Sequence, residues 1–238
     1  MPHHSRPEAV VAPDLERHPL PSPGPAALLA VPAVEAIEGR ERVKKSFGPR
    51  TLLYPTPVLV VGSYDADGRP NVMAAAWGGI ACSKPPCVSV SLRAATASHG
   101  NIRARKAFTI SLPSRVQAAE ADYFGLVSGR TVDKFGATGL TPVKAELVDA
   151  PCVAELPLVV ECEVVRVHEL GSHTQFIGEI KDVKIDEACL DADGHIDVDL
   201  LDPIAFVLEP ARGRYFALGA PIGPAFSIGK AFVADTSS

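Results

Sequence analysis

The sequence predicts a mainly β domain: a barrel of antiparallel strands with a few short helices on its flanks. Apolar runs of strand length recur between turn residues, and the strand–helix alternation of a parallel sheet is missing. Between Tyr54 and Arg93 stand Val58–Tyr64, Asn71–Trp77 and Cys87–Arg93, parted by Asp67-Gly68 and by Pro85-Pro86. Asp-Gly between apolar runs signals a hairpin, because the turn needs a positive φ that Gly adopts without a Cβ clash. In Leu158–His168, Leu158, Val160, Cys162 and Val164 share one face while Glu161 and Glu163 take the other. That is the alternation of a half-buried antiparallel strand. Many hairpin-linked strands with few helices point to a closed or nearly closed barrel, since closure removes exposed edges.

The elements follow in chain order. Within Asn71–Trp77 the run Ala74-Ala75-Ala76 is unusual, because strands favour β-branched bulk. Either a flat ligand lies against this backbone, or the strand packs under a helix; the residues by themselves favour the second. Thr96–Lys106 reads as a helix with a Thr or Ser cap and basic residues toward its end. Ala107–Leu112 is a strand stopped by Pro113. Ser114–Gly125 is helical, with Val116, Ala119 and Tyr123 at helical spacing and Gly125 as its stop, and Gly129–Gly136 is a loop or short helical turn. Gly171-Ser172 turns the chain so that His173–Val183 runs back along Leu158–His168, and Ile204–Leu208 and Tyr215–Leu218 add strands. No G-x-G-x-x-G turn is present, and Gly219–Gly223 has no helix after it, so a Rossmann dinucleotide domain is excluded.

Residues 1–42 form a Pro-rich N-terminal extension and residues 43–238 the folded domain. The extension carries Pro2, Pro7, Pro13, Pro19, Pro21, Pro23, Pro25 and Pro32 with few large apolar groups. Repeated Pro forbids regular structure, and little apolar surface offsets the ordering entropy. The apolar run Ala26–Val34 is broken by Pro32 and too short for a bilayer, and no later segment suits a membrane span. The chain of 238 residues has a net charge of −5, which argues against nucleic acid as partner because a phosphate backbone needs a basic face. It leaves room for a local basic pocket for a small phosphorylated ligand. The odd number of cysteines, Cys82, Cys87, Cys152, Cys162 and Cys189, completes no zinc pattern. They read as reduced thiols of a cytoplasmic protein, with no metal site. No nucleophile spacing, paired carboxylates or metal cluster is present either.

Seven segments then carry a family resemblance: LLYPTPV (Leu52–Val58), DGRPNVMAAAW (Asp67–Trp77), CSKPPCVSVSLR (Cys82–Arg93), SGRTVDKF (Ser128–Phe135), APCVAELPLVVEC (Ala150–Cys162), GSHTQFIGEI (Gly171–Ile180) and YFALGAPIGPAFSIGK (Tyr215–Lys230). In their order and spacing from about Lys45 to Lys230 the chain resembles the flavin reductase-like, FMN-binding split-barrel family, and is most similar to its flavoredoxin branch. The resemblance implies a six-stranded Greek-key split barrel, a homodimer, and FMN near the subunit interface. It also implies hydride transfer from NAD(P)H to flavin N5, with electrons passed to a flavin or to an acceptor protein. A flavoredoxin-like carrier reduced by a partner protein, and a non-catalytic flavin-binding protein, are the alternatives.

Carried over residue by residue, the resemblance places Asn71, Val72, Met73, Ala74, Ala75, Ala76 and Trp77 along the flavin ring, the alanines leaving space and exposing backbone. It places the phosphate by Ser89, Ser91, Leu92, Arg93, Thr96, Ser98, His99 and Asn101. The chemistry fits, since a helix N-terminus offers free N–H groups and Arg a planar donor. Lys134 and Phe135 match a family turn near the flavin, where a cation would favour the anionic reduced ring; for Lys134 the alternative is a surface pair with Asp133. His173 faces the flavin or nicotinamide side, or is a plain hairpin residue. Glu155 and Glu161 are read as structural, satisfying loop backbone or pairing.

Overall fold

A computed structural model describes residues 43–209 and 212–232, so the extension assigned to residues 1–42 lies outside the described residues. Residues 49–220 form one compact unit; residues 43–48 and 221–232 belong to a second, in which Ile228–Phe232 form a 3-10 turn. The described residues of the larger unit form twelve strands. They are β1 (Thr56–Pro57), β2 (Leu59–Tyr64), β3 (Pro70–Ala75), β4 (Gly78–Ser83), β5 (Pro86–Arg93) and β6 (Ala107–Leu112). After them come β7 (Pro142–Lys144), β8 (Pro151–Val153), β9 (Leu158–Leu170), β10 (His173–Ile185), β11 (Ile204–Leu208) and β12 (Gly213–Ala217). The helices are α1 (Ala97–Arg105), α2 (Ala118–Leu126), α3 (Lys134–Thr138) and α4 (Val198–Leu201).

The main sheet is antiparallel, with seven strands in the order β3-β2-β6-β9-β10-β5-β4. Its two edge strands are neighbours in sequence, joined only by Ala76 and Trp77. Laid flat, seven strands would hold their edges about 29 Å apart, whereas that link reaches about 11 Å. The sheet therefore curls on itself into a barrel with a seam between β3 and β4. The seventh strand, beyond the six implied by resemblance, is β4: Gly78-Gly79-Ile80-Ala81-Cys82-Ser83 lacks a strand-like pattern and takes its form from pairing with β5. The Asp-Gly turn is as read: Gly68 has φ +79° and its N–H donates to the Asp65 carbonyl (3.2 Å), closing the β2–β3 hairpin.

Period-two alternation sorts the core. Leu59 and Val61 of β2 join Val90, Leu92, Phe108, Cys162 and Phe176 in the cluster on the sheet's inner face, where Ile102 of α1 also inserts. Val58 and Val60 face the other way, with Val72, Ala121 and Phe124, under α2 and α3. Met73 and Ala75 pack on the first cluster and Ala74 on the second.

Two side chains depart from the sequence pattern. Val116 lies on a 3-10 turn (Arg115–Gln117) ahead of α2 and is exposed; Ala121 and Phe124 form the buried face instead. Glu161 does not face solvent beside Glu163: it is 1% exposed and accepts the N–H groups of Glu146 (3.2 Å) and Leu147 (2.7 Å) and the Lys184 ammonium. Burial alone would raise its carboxyl pKa, but these donors hold it below the ordinary value. Its structural role, satisfying a loop backbone and pairing, is as the sequence suggests. Glu155 serves likewise, accepting from the Thr141 N–H at 3.0 Å.

Candidate functional site

The site is built on the start of α1. Thr96, in extended conformation, accepts the His99 N–H on its hydroxyl (3.3 Å) and donates that hydroxyl to the Arg93 carbonyl (2.9 Å). The cap ties the helix start to the end of β5. It leaves the first-turn N–H groups of Ala97 and Ser98 without an intrahelical acceptor, at the positive end of the helix dipole. Two guanidinium groups border this spot. Arg93 ends β5, and Arg130, on the loop after α2, donates to the Thr96 carbonyl (3.4 Å). The arginine ion pairs of the described residues include neither.

Asn71 joins this helix to the strand of small residues. Its Nδ2 donates to the Ser98 Oγ at 2.8 Å, while its Oδ1 is buried without a partner. Gly129 lies so close that a Cβ there would sit 1.7 Å from that Oδ1, so no other residue fits the position without displacing Asn71. Below it, the Lys134 side chain is buried, and its Nζ donates to the carbonyls of Val72 and Phe124, each at 2.8 Å. Burial pulls its pKa down to about 8. An ammonium has three protons, so one remains beyond these two bonds. Asp133 is not its partner: that carboxylate caps α3 by accepting the Gly136 N–H (3.1 Å).

These groups line a cavity of about 330 Å³, within the range of small-molecule sites. Asn71, Met73, Ala74, Arg93, Thr96, Ser98 and Lys134 all face it, so seven residues singled out in the sequence converge. A second cavity of about 970 Å³ shares Asn71, Ala97 and Gly129 with the first and is lined also by Asn101 and Phe135. Asn101 donates to the Ser63 Oγ (3.2 Å).

The other singled-out residues stand outside the smaller cavity. The Val72 and Leu92 side chains are in the core, Val72 contributing its carbonyl to Lys134. Ala75 packs on the inner core, and Ala76 and Trp77 bridge the two sheet edges, where the Trp77 carbonyl accepts the Ser91 N–H (2.8 Å). Ser89 donates to the Gly79 carbonyl (3.4 Å), holding β4 to β5. His99 is buried edge-on to Phe176, its Nε2 2.9 Å from the Thr174 hydroxyl. That hydroxyl donates to Glu169 (2.6 Å), so Nε2 is the donor to it. Burial lowers the His99 pKa. His173 opens β10 as the register partner of Arg93 and has its Nδ1 2.9 Å from the Ser172 Oγ.

The facing wall is Gly125 to Gly129, where the sequence marked a helix stop and the start of a loop but no site residue. Gly125 is not a helix stop; it lies in the last turn of α2, where a Cβ would meet the Ala74 Cβ at 3.5 Å. Ala74 packs under a helix, as the residues by themselves favoured, and a cavity opens beside it.

Fold and pocket together define a class: an antiparallel barrel with a seam, in which a helix start with free N–H groups abuts a strand of small residues. The model of the flavin reductase like domain matches residues 51–206, and the chain belongs to that family. Its structure is similar to the flavoredoxin of Desulfovibrio vulgaris (Miyazaki F): 53% identity, TM-score 0.74, covering 79% of this chain and 100% of that one. It is similar also to the flavoredoxin of Methanosarcina acetivorans: 30% identity, TM-score 0.72, covering 81% and 100%. Among curated relatives, the NADH-dependent FAD reductase of Streptomyces globisporus is 28% identical over 155 residues, 64% of this chain and 81% of that protein. An uncharacterized protein of Aeropyrum pernix is 34% identical over 134 residues, 56% of this chain; the match spans half of that relative's length.

Proposed function

We propose that this chain is a flavin reductase-like oxidoreductase that binds FMN in the smaller cavity and takes electrons from NAD(P)H. The observation that carries the reading is the meeting of the Arg93 guanidinium, which has no carboxylate partner among the described residues, with the open N–H groups of α1, beside the small-residue face of β3 and with Arg130 on the Thr96 carbonyl. Such a donor set suits a phosphate, and the unpartnered Asn71 Oδ1 suits a hydroxyl or N–H of the same ligand. FMN, when bound, supplies two-electron redox chemistry at N5. The chain's own residues do the rest. Arg93, Thr96 and Ser98 hold the phosphate, with Arg130 adding charge from the Thr96 carbonyl; Ala74 leaves room for the ring; Lys134 places positive charge beside it and favours a negatively charged ligand state. No protein nucleophile or metal is required by this assignment. A homodimer would complete the open side of the site.

A second reading is a flavoredoxin-like electron carrier, favoured by the identity of 53% over the whole of one flavoredoxin chain. Anaerobic mixing of the purified, flavin-loaded protein with NADH and with NADPH separates the two. The reductase reading expects rapid bleaching of the flavin absorbance by at least one nicotinamide. Full flavin occupancy with no bleaching by either would overturn it in favour of the carrier. A protein that purifies colourless yet turns over added FMN would use flavin as a substrate.

A further inference from the structure

Outside the candidate site, Cys82 of β4 and Cys87 of β5 stand opposite each other as register partners across a hairpin. Directly opposed residues of an antiparallel pair have Cβ atoms about 4.5–5.5 Å apart, and a disulfide needs about 3.5–4.5 Å. Closing the gap takes a shift of about 1 Å, and the hairpin can supply it. β4 is a sheet edge, Ile80 to Ser83 are exposed, and a register shift leaves Ala81 outside the ladder, so β4 moves without breaking pairs to another strand. Cys162 is not a competing partner, because β10 lies between its strand and β5.

The two thiols are unequal. Cys82 is exposed and its Sγ lies 3.4 Å from the Lys84 carbonyl of its own hairpin. Cys87 is buried, and burial, then the nearby Cys82 and Glu179, push its thiol pKa up. An exposed thiol beside a buried one is the arrangement of an attacking and a resolving cysteine.

We infer that Cys82 and Cys87 form a redox site, a dithiol that a low-molecular-weight disulfide such as oxidised glutathione converts into a cross-strand disulfide. The Cys82 thiolate attacks one sulfur of oxidised glutathione, forming a mixed disulfide and releasing one glutathione thiolate, which takes up the proton that Cys82 gave to solvent. The Cys87 thiolate then attacks the Cys82 sulfur and releases the second glutathione, protonated in the same way. In sum two protein thiols lose two electrons and two protons, and the oxidant becomes two thiols. Neither cysteine lines the candidate cavity, so the site stands independently of the flavin assignment.

The test uses the full chain in buffers of varied reduced-to-oxidised glutathione ratio, quenched by iodoacetamide and digested with trypsin. Pro70 and Pro85 block cleavage after Arg69 and Lys84, so residues 51–93 emerge as one peptide holding both thiols. The expected product is that peptide lighter by two hydrogen atoms, free of alkyl groups, and regaining two alkylation sites after dithiothreitol. In Cys87→Ser the glutathione adduct should persist on Cys82, and in the exposed-site variant Cys82→Ser, Cys87 should resist oxidation. A wild-type adduct that stays on Cys82 at every ratio, an alkylated Cys87 beside an oxidised Cys82, or a Cys82-linked pair of chains on a non-reducing gel would each overturn the inference.

Discussion

Arg93 and Lys134 show how two cations in one pocket come to different tasks. Arg93 is exposed at the end of β5 and has no carboxylate partner among the described residues, so its charge is available to a ligand. Arg93→Ala should weaken FMN binding by about 10- to 100-fold, the loss of a charge-assisted hydrogen bond of roughly 1.5–3 kcal/mol; fluorescence titration that finds unchanged affinity would remove Arg93 from the phosphate site. Lys134 is spent on two carbonyls and buried, and its pKa falls from 10.5 to about 8. Above that value the folded chain sheds the proton while the unfolded chain keeps it up to its own, higher pKa. Raising the pH through this window therefore favours folding, by up to about 3 kcal/mol. Urea unfolding of flavin-free wild type and Lys134→Met should show the wild type gaining on the variant between about pH 8 and about pH 10. A pH-independent difference would contradict the buried ammonium.

The helix α1 and the loop facing it are one device. Thr96 was legible as a cap, because Thr before a helical run with basic residues at its end is a local signal. Thr96→Ala should cost about 1 kcal/mol in unfolding free energy and weaken flavin binding along with it. A loss of affinity without any loss of stability would mean that the hydroxyl meets the ligand rather than the helix. Gly129 was legible as the start of a loop but not as a contact of the site. Its constraint is the Asn71 amide, which reaches it from β3, and nothing near Gly129 in sequence announces that approach. Gly129→Ala should overpack this contact, destabilising the chain by about 1–3 kcal/mol and lowering flavin affinity; normal affinity in the variant would show that the loop yields freely. Glu161 was half legible. Its alternation with Cys162 marked a strand, but the 145–148 segment that covers it is brought there by the fold.

At the scale of the molecule, the seam between β3 and β4 matters most. It follows from a two-residue link between strands at opposite ends of a seven-stranded sheet. The seam leaves β4 as a sheet edge with Ile80 exposed. Sedimentation of the flavin-loaded protein should report a dimer, and a monomer that keeps its flavin would refute the expected second wall. Among the described residues no helix is long and apolar enough to cross a membrane.

Strand periodicity, turn chemistry and a capped helix are properties of neighbouring residues, so the β-rich class and most element positions could be read from the chain alone. The order of motifs carried the family in the same way. Convergence is different in kind. That Asn71, Ser98, Gly129 and Lys134 meet, that Arg130 joins Arg93, and that Ala74 lies both under α2 and beside the cavity depend on the curl of the sheet. Side chains far apart in sequence become neighbours only when the barrel closes, because it is the short Ala76-Trp77 link that forces its edges together.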